Sequence, residues 1–161
     1  MLQVAKNKII EFDRVSESAE RLRDRGISLV TTNGCFDLIH LGHLSYLEQA
    51  RSLGQCLWVG INSDESVRAL KGKTRPLNPQ SVRCQQLAAL CFVDYVTVFN
   101  ERTPEAWLSL VQPQVHVKGG DYDVDDLPEK KIVESAGGKV VCLSFLPGYS
   151  TTNMIHQMKD Q

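Results

Sequence analysis

Residues 27–53 constrain the fold of this chain most. Ile27-Ser28-Leu29-Val30 is a short apolar run of strand character, and Leu44, Leu47, Ala50 and Leu53 recur at the three- and four-residue intervals of an amphipathic helix. Between them stands Thr31-Thr32-Asn33-Gly34-Cys35-Phe36-Asp37-Leu38-Ile39-His40-Leu41-Gly42-His43, which must turn a strand directly into a helix. Gly34 is expected to supply the tight bend at the strand end, and Gly42 to leave the main chain bare where a ligand lies against it. His40 and His43 fall within one helical turn and can point the same way. A helix N-terminus offers unpaired backbone N–H groups and the positive end of a dipole, so it favours an anion, and two imidazoles add side-chain donors. The pattern points to a phosphate site. Histidines at i and i+3 also suit zinc, but zinc needs further ligands. His116 lies in a predicted strand, His156 is near the far terminus, and no Cys-x-x-Cys is present. No fixed metal cage is therefore expected.

A length of 161 residues suits one domain, read as a leading segment and helix over 1–26 and a core over 27–161. The net charge of −1 gives no global field toward nucleic acid, and no basic face with interleaved aromatics is visible. No run of eighteen apolar residues is present, so neither a membrane span nor a membrane partner is predicted. Five cysteines, an odd number, with Cys56, Cys91 and Cys142 in apolar surroundings, predict reduced, core-packed thiols and a cytoplasmic location.

Strand and helix signals alternate along the chain. Ser16 is the predicted cap of a helix through Ala19, Leu22 and Arg25 that stops at Gly26. After the first strand and its helix, which Gly54 ends, Cys56–Ile61 reads as the second strand. Asn62-Ser63-Asp64 closes it, with Ser63 or Asp64 capping a short helix through Leu70. Residues 71–79 are too rich in Gly and Pro to be regular, and the cations Lys71, Lys73 and Arg75 sit there at the carboxyl end of a strand, where open α/β sheets keep their ligands. Pro79 opens a helix with Val82, Leu87, Leu90 and Cys91 on its apolar side. Arg83 in its first turns opposes the dipole, which calls for an anionic partner. Val93–Phe99 is the third strand, a helix begins at Thr103-Pro104-Glu105, and the fourth strand, Val115–Lys118, runs into Gly119-Gly120-Asp121-Tyr122. The acidic run Asp123–Pro128 reads as a mobile loop, followed by a helix to Ala136 and a fifth strand, Lys139–Leu143. Ser150, Thr151 and Thr152 precede a final helix and suit either an N-cap or phosphate binding. Strands separated by crossovers of this length form a parallel sheet with right-handed connections. The lack of Gly-x-Gly-x-x-Gly after the first strand, and of a P-loop motif anywhere, argues against dinucleotide-redox and P-loop kinase folds.

Gly34-Cys35-Phe36-Asp37 with His40-Leu41-Gly42-His43 resembles the signature of the cytidylyltransferase-like nucleotidyltransferases, which hold nucleoside triphosphate phosphates with His-x-Gly-His. Within them, Thr-Asn-Gly-Cys-Phe-Asp, Val-Lys-Gly-Gly-Asp-Tyr and Gly-Tyr-Ser-Thr-Thr are most similar to the heptose 1-phosphate adenylyltransferases of lipopolysaccharide synthesis. The resemblance implies a Rossmann-like α/β fold: a five-stranded parallel sheet of order 3-2-1-4-5 with helices on both faces. It implies transfer of AMP from ATP to D-glycero-β-D-manno-heptose 1-phosphate, giving ADP-heptose and pyrophosphate, with Mg²⁺ arriving on the nucleotide. His40, His43, Lys71 and Arg83 would be catalytic. Asn33, Gly34, Cys35, Phe36, Gly42, Arg75, Lys118, Gly119, Gly120, Asp121, Ser150, Thr151 and Thr152 would bind nucleotide alongside the histidines, and Asp37 and Asn62 would meet substrate with Lys71 and Arg83. A homodimer and a separate heptose 7-phosphate kinase upstream are further implications. The acidic segment after Tyr122 departs from the family wording, which bears on acceptor recognition. The alternatives are a cytidylyltransferase for glycerol 3-phosphate or a related alcohol phosphate, using CTP, and a non-catalytic nucleotide-binding module.

Overall fold

The computed structural model describes residues 3–120, 123–144 and 146. Five parallel strands, β1 (Leu29–Gly34), β2 (Cys56–Asn62), β3 (Tyr95–Phe99), β4 (Val115–Gly119) and β5 (Lys139–Leu143), form one sheet in the order β3-β2-β1-β4-β5. The helices are α1 (Gln3–Lys6), α2 (Val15–Asp24), α3 (Leu41–Arg51), α4 (Asp64–Lys71), α5 (Gln80–Ala88), α6 (Glu105–Val111) and α7 (Pro128–Ser135). Residues of α1, α3 and α5 (Ala5, Leu47, Leu87) join Val30, Val59 and Val117 on one face of the sheet. Residues of α2, α6 and α7 (Ala19, Trp107, Val133) join Leu29, Trp58 and Phe99 on the other. A sheet buried on both faces explains why β2 is buried along its whole length and apolar up to Asn62. The direction of the sheet order reverses between β1 and β4, and that switch point opens a crevice at the carboxyl ends of the strands.

Several local expectations are corrected. Arg14, not Ser16, precedes α2, and it makes no side-chain cap; Ser16 lies inside the first turn. The end of α2 is as expected, with Gly26 at φ 68° and Ile27 N–H bonded back to Leu22 O at 3.0 Å. The core face of α3 is Gly42, Tyr46, Leu47 and Ala50, whereas Leu53 lies beyond the helix and is 41% exposed. On α5 the inner face is Arg83, Cys84, Leu87 and Ala88, and Val82 faces out; Cys91 lies beyond the helix and is exposed, not core-packed as expected. The acidic run after residue 122 contains a 3₁₀ turn, Val124–Asp126, whose Asp125 N–H is accepted by the Asp123 carboxylate at 3.0 Å. The final helix expected after Thr152 lies outside the described residues.

Candidate active site at the strand carboxyl ends

The turn from β1 to α3 bends at Phe36, not at Gly34. Phe36 takes φ 46°, a left-handed conformation that a bulky side chain adopts only under constraint. Its ring is 5% exposed and lies 5.2 Å from the His43 ring, so packing offsets the backbone cost. His40 stands just outside α3 as its N-cap: its Nδ1 accepts the His43 backbone N–H at 3.3 Å. With Nδ1 accepting, the neutral ring carries its proton on Nε2, which is left as a donor. The two rings stack at 3.8 Å. Burial, with the His40 ring beside it, pushes His43 down to about 4 against the opposing pull of the Leu38 backbone, and burial also lowers His40. Both imidazoles are therefore neutral donors at neutral pH.

The crevice has a volume of about 560 Å³. From the β1 turn it is lined by Asn33, Gly34, Cys35, Phe36 and Asp37; from α3 by His43 and Tyr46; from β2 and α4 by Asn62, Leu70 and Lys71; and beyond them by Arg75, Lys118 and Gly119. A larger concavity of about 690 Å³, lined by α2 and by Tyr95 at the start of β3, lies toward the opposite ends of the strands, away from the histidines. His40 stacks behind His43, Gly42 is buried in the first turn of α3, and Gly120, at φ 124°, gives its N–H to Leu143 O at 2.9 Å. Asp121, Ser150, Thr151 and Thr152 lie outside the described residues.

Two residues take roles other than the expected ones. Arg83 is fully buried: Nη1 donates to Cys35 O at 2.7 Å and Asn62 O at 2.9 Å, Nε to Asn78 O at 3.1 Å, and Nη2 to Asp64 Oδ1 at 2.8 Å. The anion that its position in α5 calls for is thus Asp64 of the same chain, and the guanidinium ties together two strand ends and a loop instead of reaching into the crevice. Asp37, 3% exposed, accepts from Arg75 Nε at 2.6 Å and from the backbone N–H groups of Leu77 at 2.7 Å and Asn78 at 2.9 Å. Burial works against its charge, but those N–H groups and the guanidinium outweigh it and hold the carboxyl below the usual carboxylate range. Its carboxylate latches residues 75–78 and is not free for substrate hydroxyls or metal-bound water. Lys71 is the last residue of α4, not part of the loop, and it is exposed and makes no ion pair among the described residues.

The sequence reading missed Tyr46, whose hydroxyl meets Thr32 Oγ1 at 2.6 Å and donates to Val117 O at 2.9 Å. Its place four residues after Gly42 and four before Ala50 was the available signal. It also missed Glu129, which holds Lys118 Nζ at 2.6 Å; read from sequence it is one more acid in an acidic run. Among the described residues no group of three or more His, Cys, Asp or Glu side chains is arranged to hold a metal ion. No described helix is long and apolar enough to cross a membrane.

A doubly wound sheet with a paired-histidine helix N-terminus at its switch point defines a nucleotide-binding α/β domain. A family model described as cytidylyltransferase-like matches residues 31–156, and the chain belongs to that family of nucleotidyltransferases. Among its relatives is the bifunctional protein HldE of Geotalea uraniireducens (strain Rf4), 48% identical over 152 residues, which are 94% of this chain and 31% of that protein. The bifunctional protein HldE of Proteus mirabilis (strain HI4320) is 46% identical over 151 residues, 94% of this chain and 32% of that protein. The chain thus spans about a third of the length of these relatives. A solved lipopolysaccharide core biosynthesis protein from Thermoplasma volcanium GSS1 is similar with a TM-score of 0.62 and 26% identity, over 75% of this chain and 98% of that one. A pantoate-beta-alanine ligase from Francisella tularensis, at TM-score 0.58 and 14% identity over 95% of this chain and 79% of that one, shares the fold alone.

Proposed function

We propose that the domain transfers AMP from ATP to D-glycero-β-D-manno-heptose 1-phosphate, releasing pyrophosphate and forming ADP-heptose. The observation that carries this reading is His43 at the N-terminus of α3, backed by the stacked His40 ring and lining the crevice with Lys71 and Arg75. The relatives named HldE and the lipopolysaccharide core biosynthesis protein of Thermoplasma volcanium support the choice of acceptor, as do the Thr-Asn-Gly-Cys and Val-Lys-Gly-Gly-Asp-Tyr wordings.

The phosphate oxygen of the sugar phosphate is already a nucleophile at neutral pH. It attacks the α-phosphorus in line, its new P–O bond forming as the bond to the pyrophosphate leaving group breaks, and no covalent enzyme intermediate is needed. His43 and the Nε2–H of His40 donate to the triphosphate as charge builds, and the free N–H groups of α3 add to them. Lys71 reaches the phosphates from the end of α4. Arg75 keeps Nε on Asp37 and turns the rest of its guanidinium to the same anion. Asn33, Gly34, Cys35, Lys118, Gly119 and Gly120 form the nucleoside side; Asp121, Ser150, Thr151 and Thr152 lie outside the described residues, and the motif resemblance alone assigns them to the nucleotide. The only described carboxylate lining the crevice, Asp37, is spent on the loop, so Mg²⁺ fits as an ion held chiefly by phosphate oxygens and water. When bound, it offsets phosphate charge. The domain is expected to work in the cytoplasm as a homodimer, on an acceptor supplied by a kinase reaction.

The test is pyrophosphate release with Mg²⁺, crossing ATP, CTP and GTP against heptose 1-phosphate and glycerol 3-phosphate. Turnover with ATP and the heptose is the expected result. Turnover with CTP and glycerol 3-phosphate would replace it with the alcohol-phosphate reading, which the cytidylyltransferase-like family model keeps in view. Nucleotide binding without turnover on any acceptor would favour a binding module.

A further inference from the structure

Behind Asn33 and Lys118 on the nucleoside side of the crevice stands a carboxylate, Glu129, that the proposed reaction leaves unused. Thr32 pairs with Val117 across β1 and β4, so the next residues, Asn33 and Lys118, stand side by side where the β1–β4 pairing ends at the switch point, each still paired with its outer neighbour. Both line the crevice, and Lys118 Nζ donates to Asn33 Oδ1 at 3.3 Å. Behind them Glu129, in the first turn of α7, accepts from the same Nζ at 2.6 Å. Glu129 is 3% exposed, and its second oxygen, Oε2, is buried with no partner among the described residues.

Hydrogen-bond arithmetic gives this cluster a direction. An ammonium has three N–H donors; Glu129 and Asn33 take two, leaving one. Asn33, accepting through Oδ1, keeps its NH₂ donors. The Lys118 charge is offset at contact distance, so this wall does not attract phosphate as Lys71 does, and a phosphate drawn to it would meet the Glu129 carboxylate. What fits is a neutral oxygen that accepts from Lys118 or Asn33, as a sugar hydroxyl does. Glu129 Oε2 is sealed from the crevice, so the carboxylate acts on a ligand through Lys118, and its cost of burial is offset by that ion pair.

We propose that Glu129 is the positioning residue of a sugar-hydroxyl site: it fixes Lys118 and, through it, Asn33, so that a sugar hydroxyl in the crevice accepts from their remaining N–H groups. The inference rests on the nucleotidyl-transfer reading. The hydroxyl belongs either to the ribose of the nucleotide or to the acceptor sugar, and the experiment separates the two. Glu129→Gln keeps shape and a hydrogen-bonding oxygen but removes the charge that offsets Lys118. Calorimetric titration with ATP, 2′-deoxy-ATP and 3′-deoxy-ATP, on wild type and variant, needs no turnover and so remains readable if the proposed reaction fails.

If the ribose is the ligand, wild type discriminates against one deoxynucleotide by about tenfold or more, and Glu129→Gln brings the ratio toward one. If the acceptor is the ligand, nucleotide affinities are unchanged while the heptose 1-phosphate KM rises about tenfold or more in the variant with kcat little altered. Both outcomes support the site. A Glu129→Gln protein that is folded by circular dichroism and leaves every ratio and KM at the wild-type value overturns the proposal. So does one that loses kcat alone. Glu129→Asp serves as the conservative control, since it retains the charge, and partial recovery of the discrimination is expected.

Discussion

Arg83 gives four hydrogen bonds from a fully buried guanidinium, and without it Asp64 Oδ1 keeps only the Gln80 N–H among the described residues while the Cys35, Asn62 and Asn78 carbonyls lose this donor. Arg83→Met is therefore expected to destabilise the fold by about 3–5 kcal/mol, measured by urea unfolding, because it removes the charge that pairs with Asp64 together with the donors of three carbonyls. His43 differs, since it is part-exposed and its loss opens no large cavity. His43→Ala should reduce pyrophosphate release on the order of a hundredfold or more while its melting temperature stays near wild type; a near-normal rate would remove His43 from the phosphate site. The lowered His43 also predicts a pH profile. Because the free protein holds it neutral down to about pH 4, kcat/KM should show no histidine inflection near pH 6.5. Stability behaves otherwise. Burial holds His116, bonded to Thr31 at 2.9 Å, down at about 3, and His43 at about 4. Below the unfolded value near 6.5 the unfolded chain binds protons that the folded one refuses. Stability is thus complete above pH 6.5 and falls as pH drops toward 4, by roughly 1.4 kcal/mol per pH unit for each histidine well inside that window. Urea midpoints at pH 7, 6 and 5 check this.

The loop after α4 is the element whose character the sequence least revealed. Gly72, Pro76 and Pro79 read as irregular, and three cations read as placed to reach a ligand at the strand ends. Nothing in that pattern announces that Asp37, some forty residues earlier, gathers the Arg75 side chain and two backbone N–H groups, while Asn78 Nδ2 returns to Asp37 O at 2.7 Å. The β1–α3 turn and the loop therefore hold each other, so the loop is set before substrate arrives. Asp37→Asn should speed amide exchange at Leu77 and Asn78, and raise the ATP KM more than it lowers kcat, since it loosens the loop without touching the histidines. The helix α3 shows the same limit from another side. Its existence and start were legible from the periodicity and the His-x-Gly-His spacing, but the true inner face includes Tyr46, because a polar-tipped ring can be buried when its hydroxyl finds partners on β1 and β4.

At the level of the whole molecule, the two faces of the sheet depend on close approaches that a glycine permits. A Cβ on Gly60 would stand 2.7 Å from Trp107 Cζ3, so β2 and α6 meet over a missing side chain. Gly60→Ala is expected to cost about 1–3 kcal/mol by overpacking, with a shift in tryptophan emission as Trp107 moves. The sequence by itself determined the strand-helix alternation, hence the parallel sheet, and with the family wording its order. It also put the histidines, the basic run and the Gly-Gly turn at strand ends, because hydrophobic period and turn chemistry act over a few residues and survive in one dimension. Only the tertiary structure decided which polar groups face a ligand and which face each other. Arg83 turned inward to Asp64, Asp37 was taken by a loop, and Glu129 came in behind Lys118 from a segment that reads as plain acidic surface. The reason is physical: a charge's role depends on what lies within about 3 Å of it, and for buried polar groups those partners come from distant parts of the chain.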